Sequence, residues 1–268
     1  MKRFSGTVTF ITGASSGIGA ALSVEIARQG GDVVLVARRK ERLHKLVHEI
    51  ESTGRRALAI QADIANDGDI ELAVKKTNAE FGRIDYVVAN AGFGVAGRFE
   101  KLTIEDFRRQ FETNVFGVLR TVYATRENLI ASRGCFGIIG SVNGYIATPR
   151  LSPYVMSKFA VHGLAESLWY EFRPHGVGVV LIAPGFIETE IRQVDKMGVH
   201  HPEMKDSVPP WMRMPAEKAA RQIVDAFYRR KRIKVITAHG KFAVFLQRHC
   251  PGLLSAVMYP LSKKGLLG

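Results

Sequence analysis

A glycine-rich turn between a short apolar strand and a helix constrains the fold of this chain more than any other feature of its sequence. Residues 7–11 are apolar or β-branched, and Thr12-Gly-Ala-Ser-Ser-Gly17-Ile-Gly19 follows them directly, opening a helix that we expect to continue to about Gln29. Glycines allow a tight turn and a close backbone approach to a ligand, and the free N–H groups of a helix N-terminus attract phosphate. The order strand, turn, helix therefore predicts a dinucleotide site in an α/β fold.

Strand and helix patterns alternate along the rest of the chain, which indicates a single α/β domain. Further strands are expected at 32–37, 57–60, 84–89, 137–140, 177–182 and 233–237. The 268 residues suffice for one large core, and 46% hydrophobic residues with only 10 prolines argue against disorder. We assign residues 1–239 to this domain, 190–214 within it to a substrate loop, and 240–268 to a C-terminal extension.

Small and polar residues follow several of the predicted strands, at the sheet edge where open parallel sheets bind ligands. They are Asp63-Ile64, Asn90-Ala91-Gly92, Ser141 and the turn 184–189. Because the carboxyl ends of parallel strands meet at one edge, these turns are candidates to line one site. Asp63 could equally cap the next helix, and Gly92 could simply relieve a crowded turn.

Two arginines, Arg38 and Arg39, end the second predicted strand, where dinucleotide-binding folds contact the adenosine ribose. An acidic residue there hydrogen-bonds the 2′-hydroxyl of NAD, whereas arginine suits the 2′-phosphate of NADP. The chain has no acid at this strand end, so the sequence favours NADP(H) over NAD(H), with Arg38 as the main contact and Arg39 and Ser15 assisting. The alternative is a solvated charge pair at a helix start.

Tyr154 and Lys158 lie four residues apart near the start of a helix predicted from Ser152, as N-cap, to about Phe172. This spacing puts both side chains on one face of the helix, where they can address the same ligand. A fixed lysine cation stabilises a phenolate, which would let the tyrosine act as an acid or base near neutral pH. Taken alone, the pair could equally decorate an ordinary helix.

With these motifs in the same order, the chain closely resembles the short-chain dehydrogenase/reductase (SDR) family over nearly its whole length. The matching residues are Thr12-Gly-Ala-Ser-Ser-Gly17-Ile-Gly19, Asn90-Ala91-Gly92, Asn114, Ser141, Tyr154 with Lys158, and Pro184-Gly185 followed by Thr189. The resemblance implies a Rossmann-like, doubly wound α/β domain whose seven-stranded parallel sheet is flanked by helices. It also implies a catalytic tetrad of Asn114, Ser141, Tyr154 and Lys158, without a metal.

The resemblance implies a role for each of these side chains. Ser141 would hold the substrate oxygen while Tyr154 exchanges a proton with it, and Lys158 would lower the pKa of Tyr154 and bind the nicotinamide ribose. Asn114 would hold a water linking Lys158 to solvent, although its apolar surroundings favour a buried amide that the protein satisfies. The expected cofactor contacts are Gly13, Ser15, Ser16, Ile18, Gly19, Arg38, Arg39, Asp63, Ile64, Asn90, Ala91, Gly92, Tyr154, Lys158, Pro184, Gly185, Ile187 and Thr189.

The C-terminal extension is not found in many members of the family, and much of the charge imbalance lies in and just before it. The formal net charge is +13, and residues 226–268 contain nine lysines and arginines but no Asp or Glu. Apolar clusters at 242–246 and 253–261 accompany this charge, which suits either an anchor on anionic lipid or packing on the domain or a subunit. The charge-free run 249–262 is too short to span a bilayer. No zinc spacing or nucleic-acid motif accompanies the charge, so a nucleic-acid partner is not expected.

The sequence therefore predicts an NADP(H)-dependent oxidoreductase that interconverts a ketone or aldehyde and an alcohol. Apolar residues near the expected pocket and in the extension favour a lipophilic substrate, such as a 3-ketolipid, a 3-oxoacyl group or a steroid-like ketone; those near the pocket are Phe93, Val95, Phe186 and Trp211. The alternative is an NADPH-binding sensor or scaffold with little turnover. We expect a cytoplasmic homodimer or other homo-oligomer with reduced cysteines, peripheral on a membrane if the extension binds lipid.

Overall fold

Seven parallel strands form one sheet in the order β3-β2-β1-β4-β5-β6-β7 in the computed structural model, which describes the backbone of residues 2–263 and the side chains of residues 2–260. The strands are β1 (Val8–Thr12), β2 (Asp32–Ala37), β3 (Ala57–Gln61), β4 (Tyr86–Ala89), β5 (Cys135–Ile139), β6 (Gly178–Ala183) and β7 (Ile233–Val235). Strand order reverses between β1 and β4, which leaves a crevice beyond their carboxyl ends. The predicted Rossmann-like sheet is confirmed.

Helices cover both faces of the sheet. They are α1 (Gly17–Arg28), α2 (Lys40–Glu51), α3 (Asp69–Phe81), α4 (Ile104–Phe111), α5 (Gly117–Ser132), α6 (Ser152–Phe172), α7 (Ala216–Tyr228), α8 (Ala238–His249) and α9 (Pro251–Lys263). Ile11 of β1 belongs to the core formed with α1, α2 and α7, whereas neighbouring Phe10 belongs to the core formed with α3, α5 and α6. Successive strand residues point to opposite faces, so both faces of β1 are buried.

Two details of the helices differ from the sequence prediction. The sequence pattern predicts one long helix from about 104 to 132, but a π-helical turn at Glu112–Phe116 separates α4 from α5 and contains Asn114. Helix α6 has Leu151 as its N-cap residue, so Ser152 is the first helical residue rather than the cap. Hydrophobic periodicity cannot detect one widened turn, and cap positions depend on backbone angles that residue type only suggests.

The described part of the C-terminal extension is helical except at Cys250. Helices α8 and α9 are separated by Cys250 alone, and we call residues 238–263 the C-terminal hairpin. Its first helix packs near the 3-10 turn Val142–Gly144, since a Cβ atom on Gly240 would come within 2.8 Å of a Val142 methyl group. Among the described residues, no helix has the length and apolarity needed to cross a membrane.

Candidate active site

The glycine-rich turn holds β1, α1 and β4 so close together that its glycines have no room for side chains. Gly13 has φ +66, and a Cβ atom there would lie 2.6 Å from Ala91 Cα; one on Gly19 would overlap the Gly13 carbonyl oxygen. Asn90 Nδ2 donates to the carbonyl oxygens of Thr12 (2.9 Å) and Gly13 (3.1 Å), and Thr12 Oγ1 accepts from the backbone N–H of Asn90 (3.1 Å). The turns after β1 and β4, predicted separately, therefore form one rigid cradle.

The N-terminus of α1 lies in this cradle. Its N-cap residue, Ser16, makes no side-chain capping hydrogen bond, so the first N–H groups of α1 are left for solvent or a ligand. Thr189 reaches the same place from the turn after β6, because a Cβ atom on Gly17 would lie 2.9 Å from the Thr189 methyl group. Three of the predicted turns thus meet at a helix N-terminus suited to a phosphate.

Arg39 is fixed against the glycine-rich turn. Its Nη2 atom donates to Ser16 Oγ (2.7 Å) and Ser15 Oγ (3.1 Å), and its Nη1 atom donates to Glu190 Oε2 (2.9 Å). Arg42 Nη1 donates to the other oxygen of the same carboxylate (2.6 Å). Burial alone would raise the pKa of Glu190, but the hydrogen bonds and charges of Arg42 and Arg39 lower it overall. A carboxylate therefore occupies a two-arginine anion site beside the turn.

Arg38, the contact favoured from the sequence, lies farther into solvent. Its Nη2 atom donates to the carbonyl oxygen of Gly198 in the substrate loop (3.0 Å), and its Nη1 atom is 3.8 Å from Asp63 Oδ2. Asp63 accepts from the backbone N–H of Ala65 (3.0 Å), and helix α3 has Gly68 as its N-cap residue. Asp63 therefore shapes the turn after β3 and does not cap α3.

Tyr154 and Lys158 lie on one face of α6, as their spacing predicts, and Lys158 Nζ is 5.6 Å from the centroid of the Tyr154 ring. Lys158 is only 7% exposed, and its Nζ donates to the carbonyl oxygen of Ile139 (2.9 Å), the last residue of β5. Burial lowers the pKa of Lys158 to about 8. A Cβ atom on Gly94 would lie 3.5 Å from the Tyr154 ring, so the segment after β4 passes against the tyrosine.

Ser141 lies two residues beyond Ile139 and acts on the tyrosine. Its Oγ accepts from the backbone N–H of Asn143 (3.1 Å), which fixes the serine at the start of a 3-10 turn. Burial raises the pKa of Tyr154, while its hydrogen bond with Ser141 and the positive charge of Arg192 act in the opposite direction. Desolvation of the phenolate is the largest of these effects, and burial also lowers the pKa of the neighbouring Lys158. That Lys158 lowers the pKa of Tyr154 stays a prediction.

Asn114 is 1% exposed, and its side chain makes three hydrogen bonds within the protein, which leave one acceptor position on its Oδ1. Its Oδ1 accepts from the backbone N–H of Phe93 (3.1 Å), and its Nδ2 donates to the carbonyl oxygen of Phe93 (3.0 Å) and to Ser157 Oγ (3.2 Å). The protein therefore satisfies most of the hydrogen-bonding groups of this buried amide, as its apolar surroundings in the sequence predict. Through Ser157, Asn114 also joins the turn after β4 to the residue next to Lys158.

A second buried amide, Gln110, also holds the segment after β4, and the sequence analysis does not predict it. Gln110 accepts from the backbone N–H of Val95 (2.6 Å) and donates to the carbonyl oxygen of Phe93 (2.8 Å). Its position four residues before Asn114 was a usable signal, because polar residues at that spacing share a helix face. Phe93 and Val95 themselves are buried, so they contribute packing rather than an exposed pocket wall.

The turn after β6 and the substrate loop complete the rim of the site. The backbone N–H of Phe186 donates to His239 Nε2 (3.2 Å), and the two rings stack with centroids 5.2 Å apart. In the loop, Arg192 forms two hydrogen bonds with Asp206 (2.6 and 2.8 Å), and Trp211 is 83% exposed. The loop predicted from its lack of periodicity is thus held by partly buried ion pairs and presents a large apolar side chain to solvent.

The cysteines lie away from this chemistry. Cys135 in β5 and Cys250 between the two helices of the hairpin are both free thiols. Burial raises the pKa of Cys135 to about 12, so it is an unreactive core residue. Among the described residues, no group of three or more His, Cys, Asp or Glu side chains is arranged to hold a metal ion.

A glycine-rich cradle at the switch point of the sheet, with a buried tyrosine and lysine beside it, is typical of a dinucleotide-binding enzyme. Residues 7–198 match the sequence model of the family described as short chain dehydrogenase, and the chain belongs to that family. Short-chain dehydrogenases/reductases are oxidoreductases that act on CH–OH and C=O groups, and they use NAD(H) or NADP(H).

Similar proteins support this assignment. An 11-beta-hydroxysteroid dehydrogenase A from Sesamum indicum is 33% identical over 94% of this chain and 74% of its own length. An A-factor type gamma-butyrolactone 1'-reductase from Streptomyces virginiae is 39% identical over 69% of this chain and 73% of its own length.

Solved structures with the same fold have been determined with different nicotinamide cofactors. An alcohol dehydrogenase from Thermococcus sibiricus, complexed with 5-hydroxy-NADP, is 28% identical with TM-score 0.75, covering 86% of this chain and 95% of that one. A 3-ketoacyl-(acyl-carrier-protein) reductase from Brucella melitensis, complexed with NADH, is 25% identical with TM-score 0.75, covering 87% and 97%. The similar proteins therefore agree on the class of reaction, but they do not distinguish NADP(H) from NAD(H) as the cofactor.

Proposed function

We propose that this chain is an NADP(H)-dependent carbonyl reductase of lipophilic ketones, working in the direction of alcohol formation. The observation that carries the proposal is the convergence of Tyr154, Lys158 and Ser141 beside the glycine-rich cradle. The cradle fits a dinucleotide, because side chains on Gly13 and Gly19 would fill the space between the turns. When bound, the nicotinamide supplies the hydride, and the residues of the chain supply orientation and the proton.

Tyr154 is the proton donor in this proposal. Burial raises its pKa, which keeps the phenol protonated at neutral pH, as an acid that donates to a carbonyl oxygen must be. Ser141 Oγ, fixed by its own N-cap hydrogen bond, holds the substrate oxygen at the same place. In the reverse direction the Tyr154 oxygen takes the proton back from the alcohol.

Lys158 and Asn114 support the tyrosine from the protein interior. With a pKa of about 8, the Lys158 ammonium is largely protonated at pH 7, and its hydrogen bond to Ile139 fixes it close to the ring of Tyr154. Its positive charge stabilises the phenolate that remains after proton donation. Lys158 also binds the nicotinamide ribose, and Asn114 orders the water that resupplies the proton, as in the family.

The preference for NADP(H) is supported by the arginines beside the cradle. Arg39 is oriented by Ser15 and Ser16, and Arg42 shares a carboxylate with it, which makes a pre-organised site for a dianion. A 2′-phosphate would take the place of the Glu190 carboxylate between these guanidinium groups. Arg38, exposed at the same rim, adds positive charge without a fixed position at the turn.

A lipophilic substrate is supported by the rim of the site and by the names of the relatives. Trp211 is 83% exposed and Phe186 is partly exposed beside the turn after β6, so an apolar ligand would find large apolar side chains there. Similar proteins are described as a hydroxysteroid dehydrogenase and a ketoacyl reductase. The substrate class proposed is a 3-ketolipid, a 3-oxoacyl group or a steroid-like ketone.

We also propose a cytoplasmic homodimer, because the C-terminal hairpin follows β7 directly and would hinder further assembly over that end of the sheet. Light scattering of the purified protein checks the assembly, and a tetramer would contradict it.

The experiment that tests the function measures binding and turnover together. NADPH and NADH are titrated by cofactor fluorescence, and a series of ketones with increasing apolar length is then offered with each cofactor. The proposal predicts tighter binding of NADPH and a kcat/KM that increases with apolar length. Tight NADPH binding without turnover of any carbonyl compound would instead indicate a sensor or scaffold.

A further inference from the structure

Both helices of the C-terminal hairpin expose large apolar side chains that the rest of the described protein leaves uncovered. The exposed fractions are 64% for Phe242, 56% for Phe245, 56% for Leu253 and 50% for Val257. Phe242 and Phe245 are three residues apart on α8, and Leu253 and Val257 are four apart on α9, so each pair lies on one helix face. Helices of a soluble domain normally turn such faces toward the core.

The charges interleaved with these residues are all positive. Lys241 and Arg248 are exposed on α8, next to the two phenylalanines. From residue 226 to the end of the chain the sequence has no Asp or Glu. An apolar face with exclusively basic neighbours has the composition of a surface that enters the boundary between headgroups and acyl chains of an anionic bilayer.

We propose that the C-terminal hairpin docks this enzyme on membranes that contain anionic lipids. Phe242, Phe245, Leu253 and Val257 enter the interfacial layer, and Lys241 and Arg248 meet the lipid phosphates. The contact is peripheral, because none of the described helices can span a bilayer.

A second copy of the chain fits this face less well than lipid does. In a two-fold symmetric contact the same patch appears on both partners, so the Lys241 and Arg248 charges of one copy would meet a patch with the same positive charges. The segment offers no Asp or Glu side chain to compensate that repulsion. Lipid phosphates provide the missing negative charge, and acyl chains cover the apolar side chains at the same time.

The hairpin is joined rigidly to the rim of the active site. Thr237, 3% exposed, is the N-cap of α8 and accepts from the backbone N–H of Gly240 (3.2 Å). His239 in the first turn of α8 accepts from the backbone N–H of Phe186 and stacks on its ring. Docking would therefore hold the mouth of the site close to the bilayer. The docking proposal does not depend on the proposed function. Only the idea that docking brings lipid substrates to the site rests on that function.

Co-sedimentation of the full chain with vesicles tests the proposal. One set contains phosphatidylcholine only, and the other contains about 30 mol% phosphatidylserine. We expect binding to the second set at low salt, weakened about tenfold or more at about 0.5 M salt or on the neutral vesicles. Failure of the unaltered chain to bind the anionic vesicles would overturn the proposal.

Paired substitutions separate the two components of the contact. Phe242→Ser with Phe245→Ser is expected to weaken binding about tenfold or more at any salt concentration, since apolar insertion is lost. Lys241→Glu with Arg248→Glu is expected to reduce binding on anionic vesicles to the level of neutral ones. Unchanged binding in both variants would contradict the assignment of this face.

Matched controls lie on α3, away from the hairpin. Leu72→Ser changes an apolar residue that is 51% exposed, and Lys75→Glu with Lys76→Glu reverses two exposed charges; both are expected to leave vesicle binding intact. NADPH binding by every variant shows that it is folded. If the serine variants instead abolish dimers seen by light scattering while vesicle binding persists, the face is a subunit interface and the proposal is wrong.

Discussion

Helix α6 and the C-terminal hairpin differ in what surrounds the residues to which we assign a function. In α6, Ser157 is fully buried, Lys158 is 7% exposed, and both have hydrogen-bond partners in other parts of the chain. In the hairpin, Phe242 and Leu253 are more than half exposed. The buried face of α6 is therefore held by contacts within the protein, whereas the exposed face of the hairpin is open to a partner outside it. Substitutions on the buried face of α6 should change the chemistry, and those on the exposed face of the hairpin should change only where the enzyme lies.

The largest effect is expected for Tyr154→Phe, which removes the proton donor and keeps the ring. Removing a general acid reduces turnover by about 10²- to 10⁴-fold, while NADPH binding should change by less than about twofold. Steady-state NADPH oxidation with a reducible ketone measures the first quantity, and fluorescence titration measures the second. Tyr170→Phe is the matched control, because Tyr170 lies on the same helix and is exposed. Equal turnover in the two variants would contradict the role of Tyr154.

The burial of Lys158 should also make the free energy of unfolding depend on pH. Its pKa is lowered by burial from 10.5 to about 8, so between these pH values the unfolded chain binds more protons at this site than the folded chain does. The free energy of unfolding should therefore rise with pH across this window, by up to about 3 kcal/mol relative to Lys158→Met. Urea unfolding of both proteins at pH 8 and 10.5 gives the difference. If the free energy of unfolding changed with pH by the same amount in both proteins, the lysine would not be desolvated.

The close approach of the turns predicts a specific effect of Gly13→Ala. The new Cβ atom would lie 2.6 Å from Ala91 Cα, and the backbone has φ +66. Gly54 has φ +76 but nothing within 4 Å of the corresponding position, so Gly54→Ala carries only the conformational strain. We expect Gly13→Ala to destabilise the protein by at least about 2 kcal/mol more than the control and to weaken NADPH binding. Equal unfolding free energies would show that the cradle is looser than described.

A smaller effect is expected at the arginine pair. Arg39→Ala should weaken NADPH binding about tenfold and leave NADH binding within about twofold, since only NADPH carries the 2′-phosphate. Arg38→Ala should have a smaller effect, because its guanidinium is not fixed at the turn. The cofactor titration decides between them. A larger loss in Arg38→Ala would restore the assignment made from the sequence.

Glu190→Gln tests the same arginine site and is expected to strengthen NADPH binding. The carboxylate competes with a phosphate for Arg39 and Arg42, so removing its charge should tighten NADPH binding by about two- to fivefold and leave NADH binding unchanged. The same titration measures both. Weaker NADPH binding in this variant would mean that Glu190 orients the arginines for the phosphate and does not compete with it.

The parts of the molecule that the sequence predicted are those set by local constraints. The glycine-rich turn, the residues after the strands and the spacing of Tyr154 and Lys158 each depend on neighbours along the chain, and the structure brings them to one edge of the predicted sheet. The π-helical turn at Asn114 could not be predicted, because one extra residue in a turn leaves hydrophobic periodicity almost unchanged.

The remaining site residues depend on contacts between distant segments. Glu190 meets Arg39 across 151 positions of sequence, and His239 meets Phe186 across 53. No local pattern specifies such a pair. The sequence alone therefore favours Arg38 as the phosphate contact, whereas the contacts of Arg39 lead us to propose Arg39. Burial is equally non-local, so Phe93 and Val95 were expected at the pocket and are found in the core.

The most direct test of the central claim, that this chain transfers hydride to a carbonyl carbon with Tyr154 as the acid, uses NADPH deuterated at the transferred position. The enzyme is incubated with this cofactor and a lipophilic ketone, and the alcohol product is examined by mass spectrometry and NMR. The account predicts one deuterium on the carbinol carbon with the unaltered enzyme and almost no product with Tyr154→Phe. Tight binding of NADPH without any deuterated alcohol, or equal labelling by both proteins, would contradict it.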